Sequence, residues 1–315
     1  LALWRAQPES EVRLMTLLST PREKAEMLEA ATVRGRSLWD DALARLMRNR
    51  AAVTSMVILG TLVLLATVGQ ALWVHDYDTI YRDKVWIAPT LVDWHILGTD
   101  AQGRDMVARI LVGLRVSLMV GVVATFVSLA IGVTWGAVAG FVGGKVDQVM
   151  MRFVDILYSL PFIFFVIMLM VVFGRNIILI FVAIGAVEWL TMARIVRGQT
   201  LALKNMEFVE AAEAAGVSRF KIIQRHVIPN VLGPVVVYVT LMIPVVILAE
   251  SFLSFLGLGV QEPLTSLGRL VSAGAQDMEP APWTLIGPAV TMMVTLFCLN
   301  FIGDGLRDAI DPKDR

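Results

Sequence analysis

KNMEFVEAAEAAGVSRFKIIQRHVIPN (Lys204–Asn230) is the longest polar stretch between two strongly apolar runs in the second half of the chain. Its pattern predicts two short helices with a break. Asn205 is placed to cap the first, and Glu207 sits in the first turn, where negative charge is favourable. Phe208, Ala211, Ala212 and Ala215 fall at helical spacing on one face. Gly216 is expected to end that helix, since glycine takes the left-handed conformation a C-cap needs. Ser218 is placed to cap a second helix, with Arg219, Lys221 and Arg225 exposed on it and Pro229 stopping it. Small side chains beside acidic ones, then a turn and a basic helix, suit docking into a groove on another protein, because they let a partner's backbone come close.

The surroundings of this stretch are those of a membrane protein. Of 315 residues, 57% are hydrophobic and 17% charged, against about 25% charged in soluble domains. Mean hydropathy is +0.72. The net charge of zero gives no basic footprint for nucleic acid. Cys298 is the single cysteine and forms no intrachain disulfide. His75, His95 and His226 are far apart in sequence and show no metal-ligand spacing. Neither HExxH nor GxSxG is present, so an intramembrane protease or other membrane enzyme lacks its constellation.

Six apolar runs are long enough to cross about 30 Å of hydrocarbon: residues 52–74, 115–140, 153–173, 176–193, 232–256 and 283–303. Gly174 and Arg175 alone separate the third and fourth, which predicts a tight hairpin. With both termini inside, the inner segments hold 20 Lys and Arg and the outer ones 7; the excess belongs on the cytoplasmic side. Lys204–Asn230 then faces the cytoplasm. The organisation expected is a cytoplasmic N-terminal segment with an amphipathic helix (1–50), a first span and outer loop (51–114), a core (115–303) and a cytoplasmic tail (304–315). No signal peptide is expected, because no small-residue cleavage site follows the first apolar run.

Gly132, Gly136 and Gly140 repeat every fourth residue in the second run, a face suited to close helix packing in lipid. Gly143-Gly144-Lys145-Val146 fails as a phosphate loop: Ala139 stands five before Gly144, and Val146 replaces the Ser or Thr that would hold Mg²⁺. The chain is therefore not expected to hydrolyse ATP by itself. Asp155, Glu188 and Glu250 are the carboxylates of the spans. Glu250 is the candidate residue on a substrate path, as a contact for a cationic group, weighed against the favoured reading of a structural hydrogen bond to a neighbouring helix. In Leu97-Gly98-Thr99-Asp100 with Gly103-Arg104-Asp105, an Asp–Arg pair is expected to hold a rigid turn in the outer loop. Leu267–Met278 reads as a short interfacial or partly re-entrant helix, and Glu262, Asp277 and Glu279 as outer acidic groups.

Glu210-Ala211-Ala212, Gly216, His226, Ile228 and Pro229 keep the spacing of the EAA loop of ABC importer permeases, which the chain resembles. His226 stands where that family has an aliphatic residue, and Ile228 where leucine is usual. The Leu97–Asp105 motif, FLGLGVQEP (Phe255–Pro263) and FIGDGLRDAIDPKDR (Phe301–Arg315) are similar to the C-type permeases of dipeptide, oligopeptide and nickel importers. With Val33–Trp39, the likeness runs from about residue 33 to the end. The resemblance implies an all-α polytopic protein of six transmembrane helices, with the type I ABC importer permease fold and a cytoplasmic coupling helix. Glu210, Ala211, Ala212, Gly216, Ile228 and Pro229 would couple it to an ATPase. The implied partners are a homologous second permease subunit, two ABC ATPase subunits and an extracytoplasmic peptide-binding protein, in a bacterial inner membrane. ATP and Mg²⁺ would be bound by the ATPases, and no cofactor or metal by this chain. Oligopeptide is the expected cargo; dipeptides, glutathione, nickel and antimicrobial peptides stay open. An ion-driven secondary transporter would want inverted repeats and several midplane charges, and neither is clear.

Overall fold

Lipid offers backbone groups no hydrogen-bond partner, so apolar runs of this length pair their own N–H and C=O groups as helices. The computed structural model, which describes residues 38–174 and 177–310, is helical nearly throughout, and no strand occurs among the described residues. Val33–Ser37, Arg175 and the closing 311–315 lie outside the described residues. The chain divides into two units, 1–44 and 45–315. Helix α1 spans Leu38–Leu46 and carries the amphipathic pattern expected there.

The larger unit contains α2 (Arg50–Leu72), α3 (Met106–Val142), α4 (Gly144–Ser159), α5 (Phe162–Phe173), α6 (Ile177–Lys204), α7 (Glu207–Ala214), α8 (Arg219–Phe255), α9 (Leu267–Gln276) and α10 (Trp283–Ile310). Among the described residues, α2, α3, α6, α8 and α10 are long and apolar enough to cross a membrane, and the bent pair α4–α5 makes up to a sixth crossing.

The glycine face sets the centre. A Cβ at Gly132 would stand 2.6 Å from Met192 Cβ, one at Gly136 2.9 Å from the Arg197 N, and one at Gly140 2.9 Å from Thr200 Cβ. On the opposing helix, a Cβ at Gly185 would lie 3.0 Å from Val127. α3 and α6 therefore run parallel at backbone contact over several turns. In lipid such close packing does what hydrophobic burial does in water. Around this seam, Val120, Ala124, Ala137, Ile184, Met192, Val196, Val235 and Val246 form one core shared by α3, α6 and α8.

Three of the expected spans are corrected. The second starts at Met106 instead of 115, because Asp105 caps the helix by accepting the Ala108 N–H at 2.8 Å, and Arg109 is buried against Asp100. The third is two helices bent by 86° at Leu160–Pro161. α4 is amphipathic and lies along one end of the bundle, whereas α5, at 12 residues, is apolar and only about 18 Å long. The fourth continues to Lys204, since Arg194 and Arg197 are neutralised by Asp155 and Asp147 of α4.

The contacts fix which ends coincide. Gly305 packs on Ala52, and Gly287 on Ile110. The start of α2, the end of α10 and the 204–230 segment thus share one end, and the 75–105 loop occupies the other.

Candidate functional site

The 204–230 segment leaves the bundle at the end of α6 and returns as α8. α7 begins after Met206, not Asn205: Met206 has the extended backbone of an N-cap, its carbonyl accepts the Val209 and Glu210 N–H groups, and no side chain caps the helix. Val209 and Ala212 face inward, while Phe208, Ala211 and Ala215 are exposed with Glu207, Glu210 and Glu213. The expected single face is therefore split, because Val209, not Phe208, supplies the apolar anchor. Gly216 has φ of +75°. Its N–H donates to the Glu213 carbonyl, and the Val217 N–H to that of Ala212. This is the paired arrangement that closes a helix on a left-handed residue.

Ser218 occupies the next N-cap position, without a side-chain hydrogen bond. Pro229 does not stop the helix that follows. Arg219–Ile222 passes through a π-helical turn at Ile223–Val227 directly into Ile228–Phe255. The wide turn gives the proline ring the room an α-turn denies it, and Asn230 Nδ2 donates to the His226 carbonyl at 2.6 Å. Arg219, Lys221 and Arg225 are exposed, as is Phe220, at 76%.

At the opposite end the expected turn is present and larger than the motif suggested. Asp100 Oδ1 accepts the Gln102 and Arg104 N–H groups at 2.8 and 2.9 Å. Its Oδ2 accepts Arg104 Nε at 2.8 Å and also Arg109 Nη1. Burial alone would raise this carboxyl; the Arg109 charge, the Arg104 N–H and the Arg104 charge outweigh it and hold the group below its usual range. Arg104 reaches Glu262 at 3.2 Å, and Trp283 Nε1 donates to the Thr99 carbonyl at 3.1 Å. Four separate stretches are thereby tied together.

Two of the histidines, far apart in sequence, meet in the fold. His75 and His95 stack at 4.3 Å, and His95 Nδ1 bonds Asp105 Oδ2 at 2.9 Å. His75 meets the Tyr81 hydroxyl and the Asp93 carbonyl. The three groups lie within 4.8 Å of one another. Near-parallel rings, 15° apart, aim their nitrogens along separate planes instead of at one point, which suits a hydrogen-bonded clasp better than ion coordination.

Glu250 is wholly buried. Its Oε1 accepts the Ser254 and Ser266 hydroxyls at 2.6 and 2.7 Å, and the Leu267 N–H donates to Ser117 Oγ at 3.0 Å. This polar knot joins α8, α9 and α3, the geometry of the structural alternative for Glu250. Ser266 also caps α9 through the Arg269 N–H. Asp155 sits on α4, exposed and paired with Arg194 at 2.9 Å.

Residues 132–315 match the model of the binding-protein-dependent transport system inner membrane component, and residues 37–89 that of the N-terminal TM domain of oligopeptide transport permease C. The chain belongs to this family of inner-membrane transport components. Among its relatives is the Haemophilus influenzae oligopeptide transport system permease protein OppC, 55% identical over 92% of this chain and 94% of that protein. The Escherichia coli K12 protein of the same name is 56% identical over 91% and 95%. The Bacillus subtilis dipeptide transport system permease protein DppC is 41% identical over 91% and 90%. The inward-facing MetNI methionine ABC transporter has a chain of similar fold, with a TM-score of 0.53 at 19% identity, covering 63% of this chain and 94% of that one. The family member described here is thus an all-α, multi-pass permease subunit of the ABC importer type. Its relatives are permeases, not ATPases.

Proposed function

We propose that this subunit forms, with a homologous second permease, the path by which an ATP-driven importer moves oligopeptides into the cytoplasm. The relatives with over 50% identity act in oligopeptide transport by name, which favours that cargo over dipeptides. In this reading a binding protein delivers the peptide at the end bearing Asp100, and two ATPase subunits sit at the end bearing α7. ATP and Mg²⁺ are held by the ATPases, and both termini lie in the cytoplasm.

The observation that carries the coupling role is the surface of 206–220. Phe208, Ala211 and Phe220 are exposed, and Glu207, Glu210 and Glu213 have no ion pair among the described residues. A protein partner would cover this mixture of apolar and unpaired acidic groups. Glu210, Ala211, Ala212 and Gly216 then form the docking helix, and Ile228 and Pro229 the entry to α8. ATP-driven closure of the ATPases would move α7 and α8 together and turn the path outward; hydrolysis would return it.

The test is isolation of the intact complex and identification of its chains by mass. Two ATPases and a homologous permease support the reading; a lone homodimer refutes it. Labelling of a cysteine introduced at Ser218 only from the cytoplasmic side of sealed vesicles supports the orientation, and labelling only from the outside refutes it.

A further inference from the structure

Arg115 is a cation inside a crossing helix. A Cβ at Gly69, near the end of α2, would stand 3.6 Å from Leu111 Cδ1 on α3, so these two residues share a depth. Arg115 follows Leu111 by one turn and lies about 6 Å further in. Its side chain is exposed, and among the described residues no hydrogen bond or ion pair reaches it. A charge at this depth is costly and persists where something supplies its counter-charge.

The same side chain lines a cavity of about 450 Å³, within the range of roughly 300–1,000 Å³ usual for ligand sites. Val112, Val116 and Phe181 give the cavity apolar walls. Its polar groups are Arg115, Gln70 at the end of α2 and Tyr77 in the 75–105 loop. The side chains of Gln70 and Tyr77 also have no hydrogen-bond partner among the described residues. A guanidinium, an amide and a phenol thus offer their N–H and O–H donors to one space. No carboxylate lines it among the described residues. The set matches an anionic oxygen group and offers no counter-charge to an ammonium.

The surface beyond the cavity shows the shape of what carries that anion. Met119, Val122 and Phe126 are exposed and follow Arg115 down one face of α3, a membrane-crossing helix. The cation therefore stands at the head of an apolar stripe that runs toward the middle of the membrane. A phospholipid has the complementary layout, with a phosphate near the surface and acyl chains pointing inward. A guanidinium meets two phosphate oxygens as a planar fork.

We propose that Arg115, with Gln70 and Tyr77, holds the phosphate of an anionic phospholipid in the leaflet on the side of the 75–105 loop. Its acyl chains lie along Met119, Val122 and Phe126. An anionic headgroup is favoured over phosphatidylethanolamine, because no acidic side chain of the cavity meets the ethanolamine ammonium. The site does not depend on which cargo the subunit carries.

The protein is isolated in detergent with the chains that accompany it and is stripped of loose lipid. It is then incubated with phosphatidylglycerol or phosphatidylethanolamine, and the lipid retained is counted by native mass spectrometry. Wild type is expected to retain phosphatidylglycerol the more strongly. Arg115→Gln lowers that retention by roughly tenfold or more, and Arg115→Lys keeps part of it, as a point charge without the fork. Gln70→Leu combined with Tyr77→Phe leaves the cation in place and lowers retention severalfold; this double variant decides the matter if Arg115→Gln does not assemble. Unchanged phosphatidylglycerol retention in Arg115→Gln or in the double variant overturns the proposal, as does equal retention of both lipids by wild type. Two readouts on Arg115→Gln name the alternative in that case. Loss of the second permease assigns the counter-charge to that subunit, and loss of uptake confined to peptides with a free rather than amidated carboxyl end assigns it to the cargo.

Discussion

At one end of the bundle, Asp100 gathers two guanidinium groups and two backbone N–H groups into a buried knot. At the other, Glu207, Glu210 and Glu213 stand exposed on a helix of eight residues that no side chain caps. The Asp100 carboxylate finds all of these partners within its own chain. The second end is shaped by one glycine and two inward residues, and it leaves its charges for something else to meet. A surface closed by its own partners and one left open would suit the proposed division between an end that receives cargo and an end that an ATPase moves.

The sharpest way to break this contrast is at Asp100. Asp100→Ala strands Arg104 and Arg109 without their shared acceptor, and breaking a buried pair costs about 3–5 kcal/mol. The expected outcome is a large loss of folded protein in detergent, read by size exclusion and thermal unfolding. Because the folded-state pKa of Asp100 is depressed, its contribution is present above the ordinary carboxylate pKa of about 3.9 and is lost as pH falls through the lower folded value. Wild-type stability should therefore lose this contribution only in that acid range, and the variant's acid limb should be shallower.

Gly216→Leu acts at the open end. Nothing lies within 4 Å of the added Cβ, so the effect is backbone strain at φ +75° alone, worth about 1–2 kcal/mol. Peptide-stimulated ATP hydrolysis should fall severalfold while the purified subunit stays folded and loses no more stability than that strain; Gly216→Asn, which tolerates this conformation, should be milder. Normal stimulation in the leucine variant would remove the coupling role. Glu210→Lys should lower recovery of the ATPases on co-purification without changing the subunit's unfolding temperature. The smallest effect is expected from Arg194→Ala, which breaks a half-exposed pair with Asp155 and should cost under about 1 kcal/mol in thermal unfolding.

The crossing helices were legible because lipid exposure leaves long apolar runs. The glycine seam was legible because a four-residue repeat has one packing meaning. The third crossing was not: Phe153, Val154, Ile156 and Leu157 of α4 and all of α5 are apolar, the single charge of Asp155 does not interrupt that run, and only Pro161 marks the bend. Helix starts hidden behind charge, as at Arg109, need the partner's position, which no local pattern carries. The same holds for His75 and His95, twenty residues apart yet stacked. Glu188 and Glu250 look alike in sequence; only the placement of Ser254 and Ser266 separates them. Pro229 gave the opposite error, since its usual meaning was overridden by one wide turn.

That wide turn at Ile223–Val227 also governs how tolerant the chain is to changes in length. It amounts to one surplus residue absorbed locally, so a single deletion inside it can revert to ordinary winding with the phase of everything beyond preserved. The same deletion between Val231 and Phe255 rotates one part of the helix against the other by about 100° and carries Glu250 out of register with Ser266. Length is thus negotiable at the base of this helix and fixed above it.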